Sequence, residues 1–136
     1  MRVFLDANIL FSVALPKSRT GCLLGVAKSN AILLTNSYAA EEARRNLSLK
    51  RADSLSALEK LISECELVGE MRMSLSAGIA SKDRPILEGA IAGNASHLLT
   101  GDESDFGIWF GKTVQGVTIV SPRMFAIELK RKKWMK

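Results

Sequence analysis

The sequence is poor in the residues that build disulfide frameworks and cysteine-rich metal sites. It contains two cysteines, Cys22 and Cys65, without the C-x-x-C spacing of a zinc site, and a single histidine, His97. Both cysteines lie in apolar helical surroundings, which predicts two buried free thiols in a reducing compartment. His97 begins a predicted strand, where a lone histidine usually serves packing or faces solvent, so we assign it no catalytic role.

Aromatic residues and long apolar runs are also scarce. Aromatics make up 6% of the 136 residues, so leucine, isoleucine, valine and alanine are expected to supply the core. No uninterrupted apolar run approaches the roughly 18 to 20 residues that span a bilayer. Asp6 and Asn8 also interrupt the apolar N-terminal stretch that would otherwise resemble a secretory signal. We therefore expect a soluble, cytoplasmic protein with no membrane partner.

Basic residues outnumber acidic ones, 19 to 14, which gives a formal net charge of +5. A basic surface attracts polyanions, and nucleic acid is the first candidate. The chain is 47% hydrophobic and 24% charged, the balance of an ordinary globular protein. Its length, without repeats or linkers, predicts a single domain over residues 1–136.

Strand and helix signals alternate along the chain, which predicts an α/β fold with a parallel sheet and covering helices. The predicted strands cover 3–5, 31–35, 66–68, 97–100 and 117–120. The predicted helices cover 7–15, 20–29, the region from an N-cap at Ser37 to Arg51, 53–65, a segment from Asp83, and a final segment from Pro122. Residues 105–110 predict a short helical turn, and 71–82 predict a loop.

Carboxylates stand where these elements meet. Asp6 ends the first strand and Asp102 follows the fourth, while Glu42 and Asp83 lie at or near helix starts. In an open α/β sheet, the C-terminal ends of the strands gather at one edge, where ligands bind. Because several acids at one edge repel each other, a hard divalent cation with oxygen ligands is the simplest partner. A metal-dependent enzyme is the leading interpretation.

Each acid also has an ordinary structural explanation. Asp6, Asp83 and Asp102 each precede a predicted helix and fit as N-caps, and Glu42 fits as an exposed helix residue. Caps accept Ser, Thr and Asn as readily as Asp, so aspartate at all three positions favours metal binding. Asn8 is placed to hold the Asp6 carboxylate, and Thr100 adds a polar group beside Asp102.

Four segments together resemble the acidic motifs of PIN-domain nucleases, which include the VapC-like toxins of prokaryotic toxin–antitoxin pairs. The segments are Phe4-Leu5-Asp6-Ala7-Asn8, Ala40-Glu41-Glu42-Ala43, Lys82-Asp83-Arg84-Pro85-Ile86-Leu87 and Leu99-Thr100-Gly101-Asp102. The resemblance covers nearly the whole chain and keeps the order and spacing of the motifs. Its most specific part runs from Leu99 to Phe106, with Ile-Val-Ser-Pro following later.

The resemblance implies a PIN-like three-layer α/β/α fold, with a five-stranded parallel sheet in the order 3-2-1-4-5. It also implies cleavage of RNA that depends on Mg²⁺ or Mn²⁺. The implied catalytic and metal-binding acids are Asp6, Glu42, Asp83 and Asp102, with Asp105 as an auxiliary metal ligand and Asn8 and Thr100 in support. Glu41 is adjacent to Glu42, so helix register decides which one faces the site. An additional acid often found shortly before the Asp83 position is absent, because Ala80 and Ser81 are neutral.

Basic side chains near the acids are candidates for RNA contact. Arg44, Arg45, Lys50 and Arg51 accompany Glu42 in the sequence, and Arg84 adjoins Asp83. We name Arg44, Arg45 and Arg84 as RNA-binding residues, although a charged run on a helix is commonly just a solvated face. The family resemblance further implies a cognate antitoxin protein and a homodimer.

Two other functions fit the same residues. A phosphatase of the haloacid dehalogenase type would use Asp6 as the nucleophile and the Gly101–Asp105 segment as a second acidic motif. Asn8 argues against it, because such enzymes usually carry a second aspartate at that position. The other alternative is a PIN module that binds RNA or a protein partner without catalysis.

Overall fold

The computed structural model describes residues 1–69 and 83–135, so the loop predicted for 71–82 lies outside the described residues. The described strands form one six-stranded sheet in the order β3-β2-β1-β4-β6-β5. The strands are β1 (Arg2–Leu5), β2 (Ile32–Asn36), β3 (Glu66–Val68), β4 (His97–Leu99), β5 (Thr113–Val114) and β6 (Val117–Val120).

The five predicted strands are present, and they occupy the sheet in the predicted order. All their pairings are parallel. The predicted count of five is wrong by one, because β5 pairs with β6 as an antiparallel edge strand. Its two residues are too few to form a hydrophobic pattern. The turn between β5 and β6 has positive φ at Gln115 (47°) and Gly116 (88°), as in a type I′ hairpin turn.

Seven α-helices accompany the described strands: α1 (Ala7–Ala14), α2 (Arg19–Ala27), α3 (Ser37–Lys50), α4 (Leu55–Glu64), α5 (Arg84–Ala92), α6 (Glu103–Phe106) and α7 (Pro122–Arg131). Two 3₁₀ turns, Ala52–Ser54 and Gly107–Trp109, precede α4 and follow α6. Right-handed crossovers place α1 to α4 on one face of the sheet, where α1 packs against the other three helices, and α5 on the opposite face, where it packs on β1 to β4. The three-layer α/β/α fold is therefore confirmed.

The core is built mainly from the aliphatic residues that the composition predicts. The central strands β1 and β4 are buried on both faces, with Val3, Leu5 and Leu99 completely shielded from solvent. Three phenylalanines, Phe4, Phe106 and Phe125, are also almost fully buried and are the largest side chains of the core. Three of the chain's eight aromatic residues therefore lie where they bury most area.

The cysteines and the histidine lie away from the acidic residues. Both thiols are free, as predicted, but the predicted burial is wrong for Cys22, which is exposed. Cys65 is partly buried, and desolvation raises the pKa of its thiol to about 12. His97 begins β4, at the opposite end of the strand from Thr100. Its Nε2 lies 2.8 Å from Glu128 Oε1 and its Nδ1 2.8 Å from Ser96 Oγ.

No single helix in residues 1–69 and 83–135 has the length and apolar character needed to cross a bilayer. The α1–α2 pair reaches that length only when taken together across a bend of 104°. Helix α1 packs against α3 and α4, as expected of a helix in a protein core.

Candidate metal centre

Sheet register brings Asp6 and Thr100 side by side. Leu5 of β1 pairs with Leu99 of β4, so the next residue of each strand leaves the sheet at the same edge. The Asp6 N–H donates to the Leu99 carbonyl at 3.1 Å, and the Thr100 N–H donates to the Val120 carbonyl at 3.1 Å. Asp6 and Thr100 are therefore positioned by backbone hydrogen bonds at the C-terminal ends of three adjacent strands, β1, β4 and β6.

The Asp6 carboxylate is buried, with 5% of the residue exposed. Its Oδ1 accepts the Ala7 N–H at 2.6 Å, at the start of α1. Its Oδ2 accepts the Thr100 hydroxyl at 2.8 Å and the Asn8 amide at 3.2 Å. These three donors fix both oxygens, so Asp6 caps α1 and faces the sheet edge at the same time.

Asn8 and Thr100 join Asp6 to the segment that carries Asp102. Asn8 Oδ1 accepts the Gly101 N–H at 2.7 Å, and Thr100 Oγ1 accepts the Asp102 N–H at 3.1 Å. A β-carbon on Gly101 would stand 3.3 Å from that Asn8 oxygen, so the close backbone approach favours glycine. The structure thus places Asn8 and Thr100 in direct hydrogen-bonded contact with Asp6, and their role in supporting a metal site stays a prediction.

Burial raises the pKa of the Asp6 carboxyl from 3.8 to about 6. Desolvation is the main cause, and the negative charge of Glu42 adds to it. The hydrogen bonds from Thr100, Ala7 and Asn8 act in the opposite direction and favour the ionised form. Asp6 is therefore an acid whose ionisation is costly in the metal-free protein, which a bound cation would relieve.

Asp6 should make the metal-free protein less stable as pH rises. Because its pKa is about 6 when folded and near 3.8 when unfolded, the folded state holds the proton more tightly between these values. This contribution is fully present below pH 3.8, and about 3 kcal/mol of it is lost as pH rises through 6. Urea unfolding in EDTA at pH 3.5 and pH 7.5 would measure it.

The matched comparison for this pH dependence is Asp6→Asn, which cannot titrate. We expect the stability difference between wild type and Asp6→Asn to shift by about 3 kcal/mol between the two pH values, in favour of the variant at high pH. An identical pH dependence in both proteins would show that burial does not perturb Asp6.

A second group of carboxylates lies at the same edge. Asp83, Asp102 and Asp105 each offer one oxygen, and these oxygens all lie within 4.8 Å of one another. Asp102 caps α6 by accepting the Asp105 N–H at 3.0 Å, whereas Asp83 precedes α5 without a capping hydrogen bond from its side chain. Asp83 thus stands at the N-cap position of α5, with Pro85 in the first turn, but its side chain does not cap the helix, and the residue is 8% exposed.

The donor set fits a hard divalent cation. All three groups offer carboxylate oxygens, the ligands that Mg²⁺ and Mn²⁺ prefer, and thiol and imidazole are absent from the trio. Two of its members are partly exposed, which leaves room for water and a substrate phosphate. Asp6 is linked to this trio through Thr100 rather than being part of it.

The register of α3 distinguishes the two adjacent glutamates. Glu41 points outward and pairs with Arg44 at 2.7 Å, one turn along the helix. Glu42 lines a cleft together with Asn8 and Asp102, and its charge contributes to the raised pKa of Asp6. The structure therefore brings Glu42, and not Glu41, to the sheet edge.

The three arginines named as RNA-binding residues have different surroundings. Arg44 is held between α3 and α4 by Glu59, at 2.7 and 2.8 Å, in addition to Glu41. These ion pairs raise the pKa of Arg44 and lower that of Glu59. Arg45 is exposed and lines a cleft with Glu42, while Arg84 begins α5 beside Asp83. Contact between these arginines and RNA stays a prediction.

Asn36 also positions the site, although no motif in the sequence singles it out. It, rather than Ser37, caps α3, accepting the Ala39 N–H at 2.9 Å. Its amide donates to the Pro85 carbonyl in the first turn of α5 at 3.0 Å. Asn36 thus ties the start of the Glu42 helix to the start of the helix after Asp83. The pattern that could have revealed it is a second polar pair, Thr35-Asn36, at a strand end.

Neither family models nor curated proteins match the sequence. Among solved structures, the fold is similar to a chain in the crystal structure of VapBC2 from Rickettsia felis bound to a DNA fragment from their promoter. The TM-score is 0.61 at 20% sequence identity, and the similarity covers 89% of this chain and 98% of that one. A similarity at this identity shows that the two chains share a fold.

Proposed function

We propose that this protein is a divalent-metal-dependent endoribonuclease of the PIN-domain type, and the toxin of a toxin–antitoxin pair. The observation that carries the proposal is the set of three carboxylate oxygens within 4.8 Å at the sheet edge, beside a buried and triply hydrogen-bonded Asp6. Three of the four acidic motifs supply Asp6, Asp83 and Asp102, and Asp105 lies three residues after the fourth motif. A structure with a similar fold is that of a VapBC complex.

The chain's own residues would hold the reacting groups in place. Asp83, Asp102 and Asp105 would bind Mg²⁺ or Mn²⁺, with Asp6 and Glu42 facing the same space. When bound, such an ion polarises a phosphodiester and activates water for attack. Asn8 and Thr100 hold the Asp6 carboxylate in one orientation, so this side chain would lose little conformational freedom when substrate binds. The excess of basic residues in the whole chain would draw the polyanion toward this acidic edge.

The hydrogen bonds of Asn8 favour this proposal over a phosphatase of the haloacid dehalogenase type. Its amide oxygen accepts from Gly101 and its amide nitrogen donates to Asp6, so both of its functional atoms are used in positioning. An acid/base residue must exchange a proton with substrate, and an amide cannot do so at ordinary pH. Asp83 also has a place in a metal centre and none in the phosphatase scheme.

The partners and location follow from the same proposal. VapBC2 is a two-component assembly by name, so a small cognate antitoxin is the partner that we propose here. RNA is the proposed substrate, and the cytoplasm is the proposed compartment. A homodimer is the proposed oligomeric state, which light scattering of the purified protein would test.

The pair Glu42→Gln and Glu41→Gln tests this function with a matched control. We expect Glu42→Gln to reduce the rate of Mn²⁺-dependent RNA cleavage by about 10²-fold, because it removes a charge facing the reacting groups. Glu41→Gln removes the same charge one residue away, on the outer face of α3, and should change the rate by less than about twofold. The measurement is single-turnover cleavage of a labelled single-stranded RNA pool.

Equal losses in both glutamate variants would contradict the placement of the site. No cleavage by the wild-type protein, with metal bound, would contradict the nuclease itself and favour a binding module.

A further inference from the structure

A cleft of about 340 Å³ extends from the acidic edge along α1 and α3, which we name the α1–α3 groove. Asn8, Glu42 and Asp102 form its acidic end. The rest of its lining comes from Phe11 and Ser12 of α1 and from Asn46 and Lys50 of α3. These last four residues have no part in the metal centre described above.

The groove changes in charge along its length. Glu42, Asn46 and Lys50 recur every four residues, so they share one face of α3. Eight residues at 1.5 Å per residue separate Glu42 from Lys50 by about 12 Å along the helix. The groove therefore runs from carboxylates, through an amide, to an exposed ammonium group.

Lys50 is held at its end of the groove by Phe11. Its Nζ lies 5.8 Å from the centroid of the Phe11 ring, within the range of a cation–π contact. The position at the last residue of α3 also suits a cation, because the helix dipole is negative there. Both interactions hold the side chain without consuming its charge in an ion pair, which leaves the ammonium able to meet an anion.

We propose that the α1–α3 groove binds single-stranded RNA beside the cleavage site, with Lys50 contacting a phosphate other than the one that is cleaved. This proposal rests on the nuclease function and names how the substrate lies. One phosphate of the strand meets the metal centre, and a second, about 12 Å along, meets Lys50. Phe11 holds Lys50 in place, and Ser12 and Asn46 offer hydrogen-bonding groups to sugar hydroxyls or base edges.

Lys132 provides an unusually close control for Lys50. It is the C-cap residue of α7, next to the last helical residue, and its Nζ lies 5.4 Å from the Trp134 ring centroid. Helix α7 starts at the site edge, after β6, and its Glu128 contacts His97 at the opposite end of β4, so Lys132 lies remote from the groove. Lys132→Gln therefore removes a positive charge at a helix C-terminus together with its cation–π contact, and leaves the groove unchanged.

The test is fluorescence anisotropy of a labelled single-stranded RNA with Ca²⁺, which takes the same oxygen ligands as Mg²⁺ but acidifies water less. We expect Lys50→Gln to weaken binding about 5-fold, and to reduce the slope of log K against log salt concentration by about 0.7, the value for one phosphate contact. Lys50→Arg should retain binding, and Lys132→Gln should bind as wild type does. Calorimetric Mn²⁺ binding should be equal in all four proteins.

Equal affinities of wild type and Lys50→Gln, or an equal loss in Lys132→Gln, would overturn the groove proposal. A wild-type protein that binds no single-stranded RNA would overturn it as well. Cleavage assays with Mn²⁺ separate this result from the nuclease proposal. If cleavage occurs and does not depend on Lys50, the nuclease proposal holds and the groove proposal fails. If RNA binding depends on Lys50 but no cleavage occurs, the groove proposal holds and the nuclease proposal fails.

Discussion

Replacing Asp102 by Asn is expected to abolish measurable RNA cleavage and to weaken Mn²⁺ binding at least 10- to 100-fold. That range is typical when only a supporting residue of a metal site is lost, and Asp102 supplies one of the three converging oxygens. Asparagine still caps a helix well, so α6 should keep its start at the Asp105 N–H. Calorimetric titration with Mn²⁺ and single-turnover cleavage would measure the two effects, with a rate loss of at least about 10²-fold.

Glu103→Gln is the control for this change. Glu103 is the next residue, is exposed, and lies in the same first turn of α6. Its neutralisation removes an equal charge from the same helix end, and we expect near wild-type Mn²⁺ affinity and cleavage. If Asp102→Asn keeps its fold by circular dichroism and its metal affinity is unchanged, the three carboxylates do not form a metal site. Asp102 would then serve only as the N-cap of α6.

Gly89→Ala is expected to lower the free energy of unfolding by about 3 kcal/mol, at the upper end of the usual cost of overpacking. A β-carbon at Gly89 would stand 2.5 Å from Asn36 Nδ2 and 2.9 Å from two ring carbons of Phe4. Phe4 is completely buried, so it has no room to yield. For a chain of this length the change corresponds to a fall in Tm of about 10 °C in a thermal melt.

Gly25→Ala is the matched control for Gly89, because it makes the same change inside another helix. No heavy atom lies within 4 Å of a β-carbon placed there. Alanine is the better helix former by roughly 0.5–1 kcal/mol, so this variant should melt at the same temperature as wild type or slightly higher. Equal melting of both variants would mean that α5 does not pack on β1 and β2 as closely as described.

Gly89 also links stability to the site. The Asn36 amide that its β-carbon would strike is the group that holds the Pro85 carbonyl, two residues after Asp83. We therefore expect Gly89→Ala to lose cleavage activity at temperatures where it is still folded, since a displaced α5 would carry Asp83 away from Asp102 and Asp105.

The parts of the fold that the sequence predicts are those with a strong local pattern. Buried strands such as β1 and β4 are short apolar runs that end in a polar residue, and α4 has an apolar stripe at helical spacing. Strand order was implied by a family resemblance and is confirmed. The edge strand β5 could not be predicted, because two residues make no pattern and their pairing depends on a turn with positive φ.

The candidate site could be predicted as residue types but not as geometry. Acids at strand ends are visible in the sequence, and the structure brings Asp83, Asp102 and Asp105 together. Whether Glu41 or Glu42 faces them depends on the rotation of α3, which the ion pair between Arg44 of α3 and Glu59 of α4 helps to fix. The bridging role of Asn36 depends on two elements about fifty residues apart, which local sequence patterns cannot reveal.

Burial was predicted less well for single residues than for patterns. Cys22 lies in an apolar helix, yet its own position in α2 faces outward and leaves the thiol exposed. Arg44 is paired with Glu41 and Glu59, whereas Arg45, the next residue of the same helix, is exposed. The side of the helix decides these surroundings, and the helical period of one short segment is too weak to show it.

The measurement that tests the central claim most directly is cleavage of a mixed single-stranded RNA pool by purified wild type and Asp6→Asn, each with Mg²⁺, Mn²⁺ or EDTA. We predict that wild type cleaves RNA in the presence of Mg²⁺ or Mn²⁺. Cleavage should be lost when wild type is treated with EDTA, and also in Asp6→Asn with either metal. Cleavage that survives in Asp6→Asn, or the absence of cleavage by a folded wild-type protein that binds Mn²⁺, would contradict the nuclease proposal.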